Sequence, residues 1–334
     1  MNITFLGSGA WATALAYDLA KAGDHDVLLY GREPSEISDI NDNHRNSKYF
    51  DDVVLPQCIH ATLDPHLALS GRDVLVLAVP SSQINNIVSL IQQHCDTHPL
   101  LVNVIKGFDP NTGEGISHVI ERCLAGKTKI AGLVSLVGPS FAYDVIHDDL
   151  TAVCAVSSDP DQARFVQHLF SSPYFRVYVQ TDVIGAETGA GMKNIIAIAS
   201  GIMEGLGYKD NTRAALITRG LAEITRYGMA VGAKRETFLG LTGVGDLCLT
   251  ASSHRSRNYE FGIAIGKADD ASDALANNTK TVEGVLAAKT IHFQAKHLNV
   301  QTPIVDVVYA ILYEGLKPSL AVKALMEREL KPEN

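Results

Sequence analysis

The sequence predicts an α/β protein in two parts, an N-terminal doubly wound sheet followed by an all-helical C-terminal domain. Three observations support this prediction. A glycine-rich turn joins a strand-like run to a helix-like run at the start of the chain, apolar runs alternate with helical segments in the first half, and no strand-like run follows Asp182. Since 334 residues exceed the size at which one core keeps growing, we expect two domains, residues 1–180 and 181–334.

The start of the chain has the residues of a nucleotide-binding turn. Asn2–Leu6 is a short apolar run, Ala10–Ala22 has the composition of a helix, and Gly7-Ser8-Gly9 separates them. Gly7 permits a tight turn, Gly9 lets the backbone approach a pyrophosphate, and Ala12 is the small residue required at the third glycine position. The helix N terminus then attracts the phosphates. The turn predicts a Rossmann-type site, and the alternative is a glycine turn that binds nothing.

Further apolar runs predict the other strands of this sheet. They are Val27–Tyr30, Asp73–Pro80, Leu100–Ile105, Leu133–Val137, Ala152–Val156 and Phe175–Val179. Ligands of an open parallel sheet bind outside the carboxyl ends of its strands. Lys106 and the turn Gly138–Ser140 each follow such a run, so we expect both at the functional edge of the sheet.

The end of the second strand bears on the choice of cofactor. Sites that prefer NAD usually carry an Asp or Glu about twenty residues beyond the glycines, where it binds the ribose 2′-hydroxyl. Here the strand continues into Gly31-Arg32-Glu33, with no acid at its tip and with Arg32 in reach of a 2′-phosphate. This pattern favours NADP or a dual preference, and Glu33 leaves NAD open.

Helical patterns dominate the second half. The predicted helices are Ala186–Gly207, Thr212–Val231, Asn258–Gly266, Val282–His297 and Ile304–Gly315. Gly207, Gly232 and Gly315 stand where helix C-caps belong.

Lys193 is the strongest candidate for chemistry in this half. It follows a segment, Gly185–Gly191, whose glycines each cost roughly 1 kcal/mol inside a helix, and close approach to a ligand or another helix would explain them. Lys193 also opens an apolar run, where a lysine can be tuned for proton transfer. The alternative is a lysine whose ammonium extends into solvent.

Two further segments carry candidate polar groups. Asp246 follows a glycine-rich turn and could orient Lys193, bind a hydroxyl or cap a helix. Ser256-Arg257-Asn258 precedes a helix and could hold a phosphate or form a solvated loop. His94 and His98 share a helix spacing, but no further ligand is nearby, so we expect no metal.

Composition excludes several classes of protein. With 28 basic and 37 acidic residues the chain has a formal charge of −9 without long like-charge runs, which argues against nucleic acid or an anionic membrane as partner. The 5 cysteines are scattered and lack a Cys-x-x-Cys spacing, so we expect free thiols in a reducing compartment. With no signal-like start and no membrane-length apolar run, we expect a soluble cytoplasmic protein.

Taken together, these motifs resemble the bacterial NAD(P)-dependent glycerol-3-phosphate dehydrogenases over essentially the whole chain. The shared motifs, in order, are GSGAWATALA, Lys106-Gly107, GPSFA at Gly138–Ala142, GAGMKNIIAIASGI around Lys193, NTRAALITRGLAE at Asn211–Glu223, GVGDLCLT around Asp246, SRN at Ser256–Asn258 and VEG at Val282–Gly284. Many members of the family carry Gly where this chain has Ala12. Each motif alone is modest, but their common order is specific.

The resemblance implies an oxidoreductase that interconverts dihydroxyacetone phosphate and sn-glycerol 3-phosphate with NADP or NAD. The glycerol 3-phosphate would be used for phospholipid synthesis. It implies an NAD(P)-binding domain, a helical substrate-binding domain and a homodimer. Lys193 corresponds to the catalytic proton donor and acceptor. The substrate-contacting positions are Lys106, Gly138, Ser140, Lys193, Asp246, Ser256, Arg257 and Asn258. The cofactor positions, besides Gly7 and Gly9, are Ala10, Trp11, Arg32, Tyr49, Lys106, Ala142, Arg257 and Glu283.

Two other functions remain open at this stage. One is a reductase of similar architecture that acts on a β-hydroxyacid, which would select a carboxylate and ignore a phosphate ester. The other is a regulator that binds NADP(H) without catalysis, which would bind the cofactor without oxidising it.

Overall fold

The chain divides into two compact units, Met1–Glu187 and Thr188–Asn334. The computed structural model describes residues 1–278, 281–327 and 329. The predicted α/β half followed by a helical half is confirmed, because all eight strands end before Asp182 and the described residues beyond it contain helices and turns but no strand.

The first unit is built on one eight-stranded sheet with the order β3-β2-β1-β4-β5-β6-β7-β8. The strands are β1 Asn2–Leu6, β2 Asp26–Tyr30, β3 Ile59–Thr62, β4 Val74–Leu77, β5 Leu100–Asn103, β6 Gly132–Val137, β7 Thr151–Val156 and β8 Phe175–Gln180. The strand order reverses direction between β1 and β4, which is where doubly wound sheets bind their ligands. The glycine turn directly follows β1, so it lies at this point.

Helices cover both faces of the sheet. They are α1 Ala10–Ala22, α2 Pro34–Asn43, α3 Pro65–Leu69, α4 Ile84–His94, α5 Ile116–Leu124, α6 Ala142–Ile146 and α7 Pro160–Phe170. In β1, Ile3 and Phe5 pack into one apolar layer with side chains of α1, α2 and α7, and Leu6 packs into the opposite layer with α4 and α5. Burial on both faces explains why the central strands are continuously apolar.

All seven predicted strands are present, and the structure adds an eighth. The unpredicted strand is β3, whose four residues Ile-His-Ala-Thr do not form a continuous apolar run. As an edge strand it buries Ile59 and Ala61 and exposes His60 between them. So short an alternation is a weak signal in a sequence.

The sheet is not parallel throughout, because β7 pairs antiparallel with β6 and β8 pairs parallel with β7. The connection between β6 and β7 contains only the five-residue helix α6. The five helical residues span about 8 Å, less than the roughly 20 Å length of a six-residue strand, so α6 is too short to serve as the crossover helix of a parallel pair. Instead β7 begins beside the end of β6, where Val137 pairs with Cys154.

The second unit is helical throughout its described residues. Its helices are α8 Val183–Gly205, which begins in the first unit, α9 Asp210–Ala230, α10 Asp246–Ser252, α11 Arg257–Ala268, α12 Ser272–Asn277, α13 Glu283–His297, α14 Pro303–Tyr313 and α15 Pro318–Met326. The five predicted helices are confirmed as α8, α9, α11, α13 and α14, whereas α10, α12 and α15 were not predicted. Gly207, Gly232 and Gly315 follow helices with positive φ, as C-cap glycines do.

Glycines let α8 and α11 touch backbone to backbone. A Cβ at Gly201 would lie 2.0 Å from the carbonyl oxygen of Tyr259, and one at Gly262 would lie 2.2 Å from that of Ile198. Gly205 and Gly266 repeat the arrangement one turn further on, with separations of 2.5 Å and 2.2 Å. These positions exclude any side chain, so the glycines fix the crossing of the two helices.

We expect Gly262→Ala to lower the free energy of unfolding by at least about 3 kcal/mol, because the added methyl must displace a backbone carbonyl. Thermal or denaturant unfolding of the purified variant measures the loss. Ala264→Gly, at an exposed position of the same helix, is the control and should cost only about 1 kcal/mol. A Gly262→Ala protein that is less affected than the control would show that the helices do not cross this closely.

Glu223 is a buried carboxyl group that caps a helix. Its oxygens accept hydrogen bonds from the backbone N–H groups of Ile304 at 2.7 Å and Val305 at 3.3 Å, in the first turn of α14. Burial raises the pKa of Glu223 from its usual 4.5 to about 7. The folded chain therefore holds a proton here that the unfolded chain releases between these two pH values.

Glu223 should accordingly stabilise the fold less as the pH rises from about 4.5 to about 7, by roughly 3 kcal/mol over the full window. The Glu223→Gln variant keeps an oxygen acceptor but cannot ionise. We expect the difference in melting temperature between wild type and Glu223→Gln to become less favourable to wild type through this window. Glu236→Gln makes the same substitution at an exposed position, and a difference for Glu223→Gln that does not change with pH would contradict the assignment.

Candidate active site

The glycine turn after β1 leaves open space in front of α1. Gly7 has φ +134°, and a Cβ there would lie 2.3 Å from the carbonyl oxygen of Ala78, so only glycine fits. Gly9 is the N-cap of α1. Apart from its own chain neighbours and helix turn, no heavy atom of the described residues comes within 4 Å of a Cβ built at Gly9. Exposed N–H groups facing open space are what a dinucleotide pyrophosphate requires, so these residues fit that group.

Lys106 lies at the carboxyl ends of β5 and β6. Its ammonium donates hydrogen bonds to the carbonyl oxygen of Gly138 at 2.8 Å and to the hydroxyl of Ser140 at 3.1 Å. It also lies 5.7 Å from the ring centroid of Trp11 in the first turn of α1. The structure thus brings together four of the residues that the sequence singled out. An ammonium at the carboxyl ends of these strands can bind an anionic ligand.

The antiparallel strand β7 explains why position 138 is a glycine. A Cβ at Gly138 would lie 2.8 Å from the Cα atom of Val153 on β7. This constraint was invisible in the sequence, because it depends on the direction of the neighbouring strand. The close packing holds the carbonyl that accepts from Lys106.

The other predicted cofactor residues of the first unit lie near element ends. Ala10 opens α1, Arg32 is exposed two residues after β2, and Ala142 opens α6. Tyr49 is 38% exposed and lies within the short bridge between Asn46 and Phe50. Arg32 and Tyr49 are therefore accessible to a ligand.

Sequence reasoning missed Asn46, which braces the glycine turn. Its amide nitrogen donates to the carbonyl oxygen of Ser8 and to the hydroxyl of Thr13, both at 2.9 Å, and its side chain is buried. No local motif marks an asparagine that lies more than thirty residues from its partners.

Glu187, also missed, is a buried carboxyl group that contacts β5 and β6. It accepts hydrogen bonds from the hydroxyl of Ser117 at 2.6 Å, from that of Ser135 at 3.1 Å and from the amide of Asn103 at 3.1 Å. Burial raises its pKa above the usual value. Asn103 ends β5 and Ser135 belongs to β6, so the carboxyl group ties together the strands that lead to Lys106 and Gly138.

In the second unit, Lys193 and Asp246 form a buried ion pair. Their side chains are 5% and 1% exposed, and a carboxylate oxygen of Asp246 contacts the ammonium directly. Asp246 is the first residue of α10, whereas the N-cap position belongs to Gly245. The alternatives of a lysine that extends into solvent and an aspartate that caps the helix are therefore not what the structure shows. The carboxylate favours the charged ammonium and fixes its direction.

Gly189 explains how these two side chains meet. A Cβ at this position would lie 2.2 Å from the carbonyl oxygen of Thr242, in the π-helical turn Leu241–Gly245 that leads into α10. The glycine on α8 therefore permits the close approach of the segment that carries Asp246. Of the two explanations offered for the glycines before Lys193, close approach to another part of the chain holds at this position.

The three residues of Ser256–Asn258 have different surroundings. Ser256 is the N-cap of α11 and accepts from the backbone N–H of Tyr259 at 3.3 Å. Arg257 is exposed. Asn258 is buried and donates to the side-chain oxygen of Asn194 at 3.1 Å, while its own oxygen accepts from the N–H of Gly284 at 2.9 Å. Asn258 therefore links α8, α11 and the first turn of α13, which begins at Glu283.

The structure adds three observations on other predicted properties. All 5 cysteines are free, as predicted. Among the described residues, no cluster of three His, Cys, Asp or Glu side chains could hold a metal ion. No helix in the described part of the chain combines the length and apolar character needed to cross a bilayer.

Comparison with known families finds two matching sequence models. The model for the N terminus of NAD-dependent glycerol-3-phosphate dehydrogenase matches residues 2–163, and the model for its C terminus matches residues 182–323. Together they cover most of the chain and both of its units.

Similar proteins match this chain over its whole length. A protein of Enterococcus faecalis named glycerol-3-phosphate dehydrogenase (NAD(P)+) is 42% identical over 100% of this chain and 97% of its own. One of the same name from Exiguobacterium is 43% identical over 99% and 97%. The solved glycerol-3-phosphate dehydrogenase of Coxiella burnetii superposes with a TM-score of 0.90, at 32% identity over 98% of this chain and 99% of that one. A ketopantoate reductase from Ralstonia eutropha, at 16% identity and a TM-score of 0.61, shares the fold alone.

Proposed function

This chain belongs to the NAD-dependent glycerol-3-phosphate dehydrogenase family, and from that premise we propose that it interconverts dihydroxyacetone phosphate and sn-glycerol 3-phosphate with NAD or NADP. The observation that carries the chemistry is the buried ion pair of Lys193 and Asp246. A buried, oriented ammonium is the group that reduction of a ketone requires, since charge develops on the carbonyl oxygen.

Lys193 is the proposed acid and base. A nicotinamide cofactor, when bound, would supply the hydride for the ketone carbon of the substrate. Protonated Lys193 stabilises the negative charge that develops on the carbonyl oxygen and donates its proton to that oxygen. In the reverse direction neutral Lys193 accepts the proton of the hydroxyl group. Asp246 keeps the ammonium charged and pointed in one direction between turnovers.

The remaining predicted residues bind rather than react. We propose that Ser256, Arg257 and Asn258, at the start of α11, hold the substrate phosphate, with Arg257 supplying the charge. Lys106, with Gly138 and Ser140, contacts the substrate as a second cationic site. A chain with a formal charge of −9 needs such local positive charge to bind a phosphorylated substrate.

For the cofactor, Gly7, Gly9, Ala10 and Trp11 are the proposed binding residues at the N terminus of α1. Arg32 and Tyr49 are proposed to bind near the adenosine end, and Lys106, Ala142, Arg257 and Glu283 complete the set. Support for the first group comes from the open space in front of Gly9 and from the excluded Cβ position at Gly7. These residues bind and orient the dinucleotide without taking part in proton transfer.

The test is the oxidation of NADPH and NADH, followed by the loss of nicotinamide absorbance, with dihydroxyacetone phosphate as substrate. We expect oxidation that depends on the phosphorylated ketone and is far slower with unphosphorylated dihydroxyacetone. Selective turnover of a keto acid would favour the β-hydroxyacid reductase instead. Cofactor binding without oxidation of NADPH would favour the non-catalytic regulator.

We further propose that the protein is a cytoplasmic homodimer that supplies glycerol 3-phosphate for phospholipid synthesis. Among the large apolar side chains of the second unit, Leu239 at 70%, Phe293 at 52% and Leu320 at 56% exposure are accessible to a second copy. Light scattering coupled to size exclusion should report twice the mass of the 35.9 kDa chain.

A further inference from the structure

The hydroxyl of Ser8, inside the glycine turn, is bonded to a buried carboxylate. Ser8 donates to Glu36 at 2.8 Å, and Glu36 is 6% exposed in the first turn of α2. The end of β2 reaches the same place, because a Cβ at Gly31 would lie 2.5 Å from the Ser8 hydroxyl. The fold therefore places one acidic side chain against both the nucleotide turn and the end of the second strand.

Lys48 neutralises this carboxylate. Its ammonium forms an ion pair with the other oxygen of Glu36, while the lysine side chain remains 56% exposed. The hydrogen bond to Glu36 raises the pKa of Lys48, so the lysine is charged at neutral pH. Tyr49, the neighbouring residue, lies with its ring centroid 5.4 Å from the same ammonium. The segment that carries Lys48 is thus linked to the glycine turn in two ways. Asn46 donates directly to the carbonyl oxygen of Ser8, and Lys48 contacts the carboxylate that accepts from the Ser8 hydroxyl.

Glu36 lies close to the position that usually determines cofactor preference in dinucleotide-binding folds. The residue that distinguishes NAD from NADP stands near the end of the second strand, where an acid accepts from the ribose 2′-hydroxyl and a basic residue accommodates a 2′-phosphate. Here the strand tip carries Arg32, and the adjacent Glu33 is exposed. Glu36 lies further along the chain, but α2 returns its carboxylate to the glycine turn.

We propose that Glu36 and Lys48 form a charge-compensated site for the 2′ substituent of the adenosine ribose and that their balance sets the preference between NADP and NAD. With NAD, the carboxylate of Glu36 has lone pairs left to accept from the 2′-hydroxyl. With NADP, the 2′-phosphate binds the exposed ammonium of Lys48 and the guanidinium of Arg32, and it faces repulsion from Glu36. This assignment rests on the proposed use of a nicotinamide dinucleotide.

The test compares the affinities for NADPH and NADH by calorimetry, which needs no turnover. Removing one charge with Glu36→Gln should raise the affinity ratio of NADPH to NADH by about tenfold, the size expected for a single charge contact near the surface. Lys48→Gln should lower the ratio by about tenfold, because Glu36 is then uncompensated. The double variant should return close to the ratio of wild type.

Two controls separate local from general charge effects. Glu121→Gln changes an exposed acid of α5, and Lys127→Gln changes an exposed lysine in the turn after that helix, so neither should move the ratio. Equal changes in both affinities for Glu36→Gln, with an unchanged ratio for Lys48→Gln, would overturn the proposal and leave Glu36 as a brace for Ser8.

Different results would contradict the proposed function and the proposed specificity site. Affinity ratios that shift as expected, in a protein that does not oxidise NADPH with dihydroxyacetone phosphate, would reject the dehydrogenase activity and retain the specificity site. Failure of the wild-type protein to bind either cofactor would overturn both.

Discussion

Replacing Lys193 with alanine is expected to lower kcat for dihydroxyacetone phosphate reduction by about 10²–10⁴-fold, the contribution of a positioned general acid. The affinity for NADPH, measured by calorimetry, should remain close to that of wild type. The reason is that Lys193 supplies the proton and the charge for the carbonyl oxygen, while the dinucleotide is held by the turn at Gly7 and Gly9.

The control must separate lost chemistry from lost folding, because truncation leaves the buried carboxylate of Asp246 without this counter-charge. Lys193→Met fills most of the volume without an ammonium and should be as inactive as the alanine variant. Lys267→Ala removes an exposed lysine of α11 and should retain full activity. Turnover near the wild-type rate in a folded Lys193→Met protein would remove the proposed acid from the mechanism.

Replacing Asp246 with asparagine is expected to lower kcat by about 10²-fold, because the ammonium of Lys193 loses the carboxylate that keeps it charged and oriented for proton transfer. The amide keeps the size of the side chain but cannot balance the charge of Lys193. The ammonium should then lose its proton at lower pH than in wild type. Ketone reduction needs the protonated form, so the high-pH limb of the kcat profile should move toward lower pH.

Steady-state rates of Asp246→Asn across a pH series, with NADPH binding measured in parallel, would check this expectation. Asp273→Asn, at an exposed position of α12, provides the matched change elsewhere in the second unit and should leave the profile unchanged. If Asp246→Asn kept the wild-type pH profile and lost only stability, Asp246 would hold the fold rather than the charge of Lys193.

Sequence patterns were reliable where one element is defined by its own residues. The continuous apolar runs of β4 and β5 reflect burial on both faces of the sheet, and such runs can be recognised without knowing the partners. The helix α1 begins and ends where its composition and the preceding glycines predicted. The glycines at 207, 232 and 315 marked helix ends for the same local reason, since each adopts a positive φ.

Sequence patterns were unreliable where a neighbouring segment determines the structure. The residues of β7 read the same for a parallel or an antiparallel strand, and only the short connection through α6 settles its direction. The short edge strand β3 lacks the double burial that makes a run visible.

The sequence by itself determined the two-part architecture, the glycine turn and the lysine that opens an apolar run, because periodicity, backbone freedom and residue chemistry are local properties. Only the tertiary structure decided that Asp246 neutralises Lys193, that Gly189 admits the segment carrying it, and that Glu36 rather than Glu33 reaches the nucleotide turn. These pairings join residues far apart in the chain, and burial with its charge balance exists only once the chain has folded.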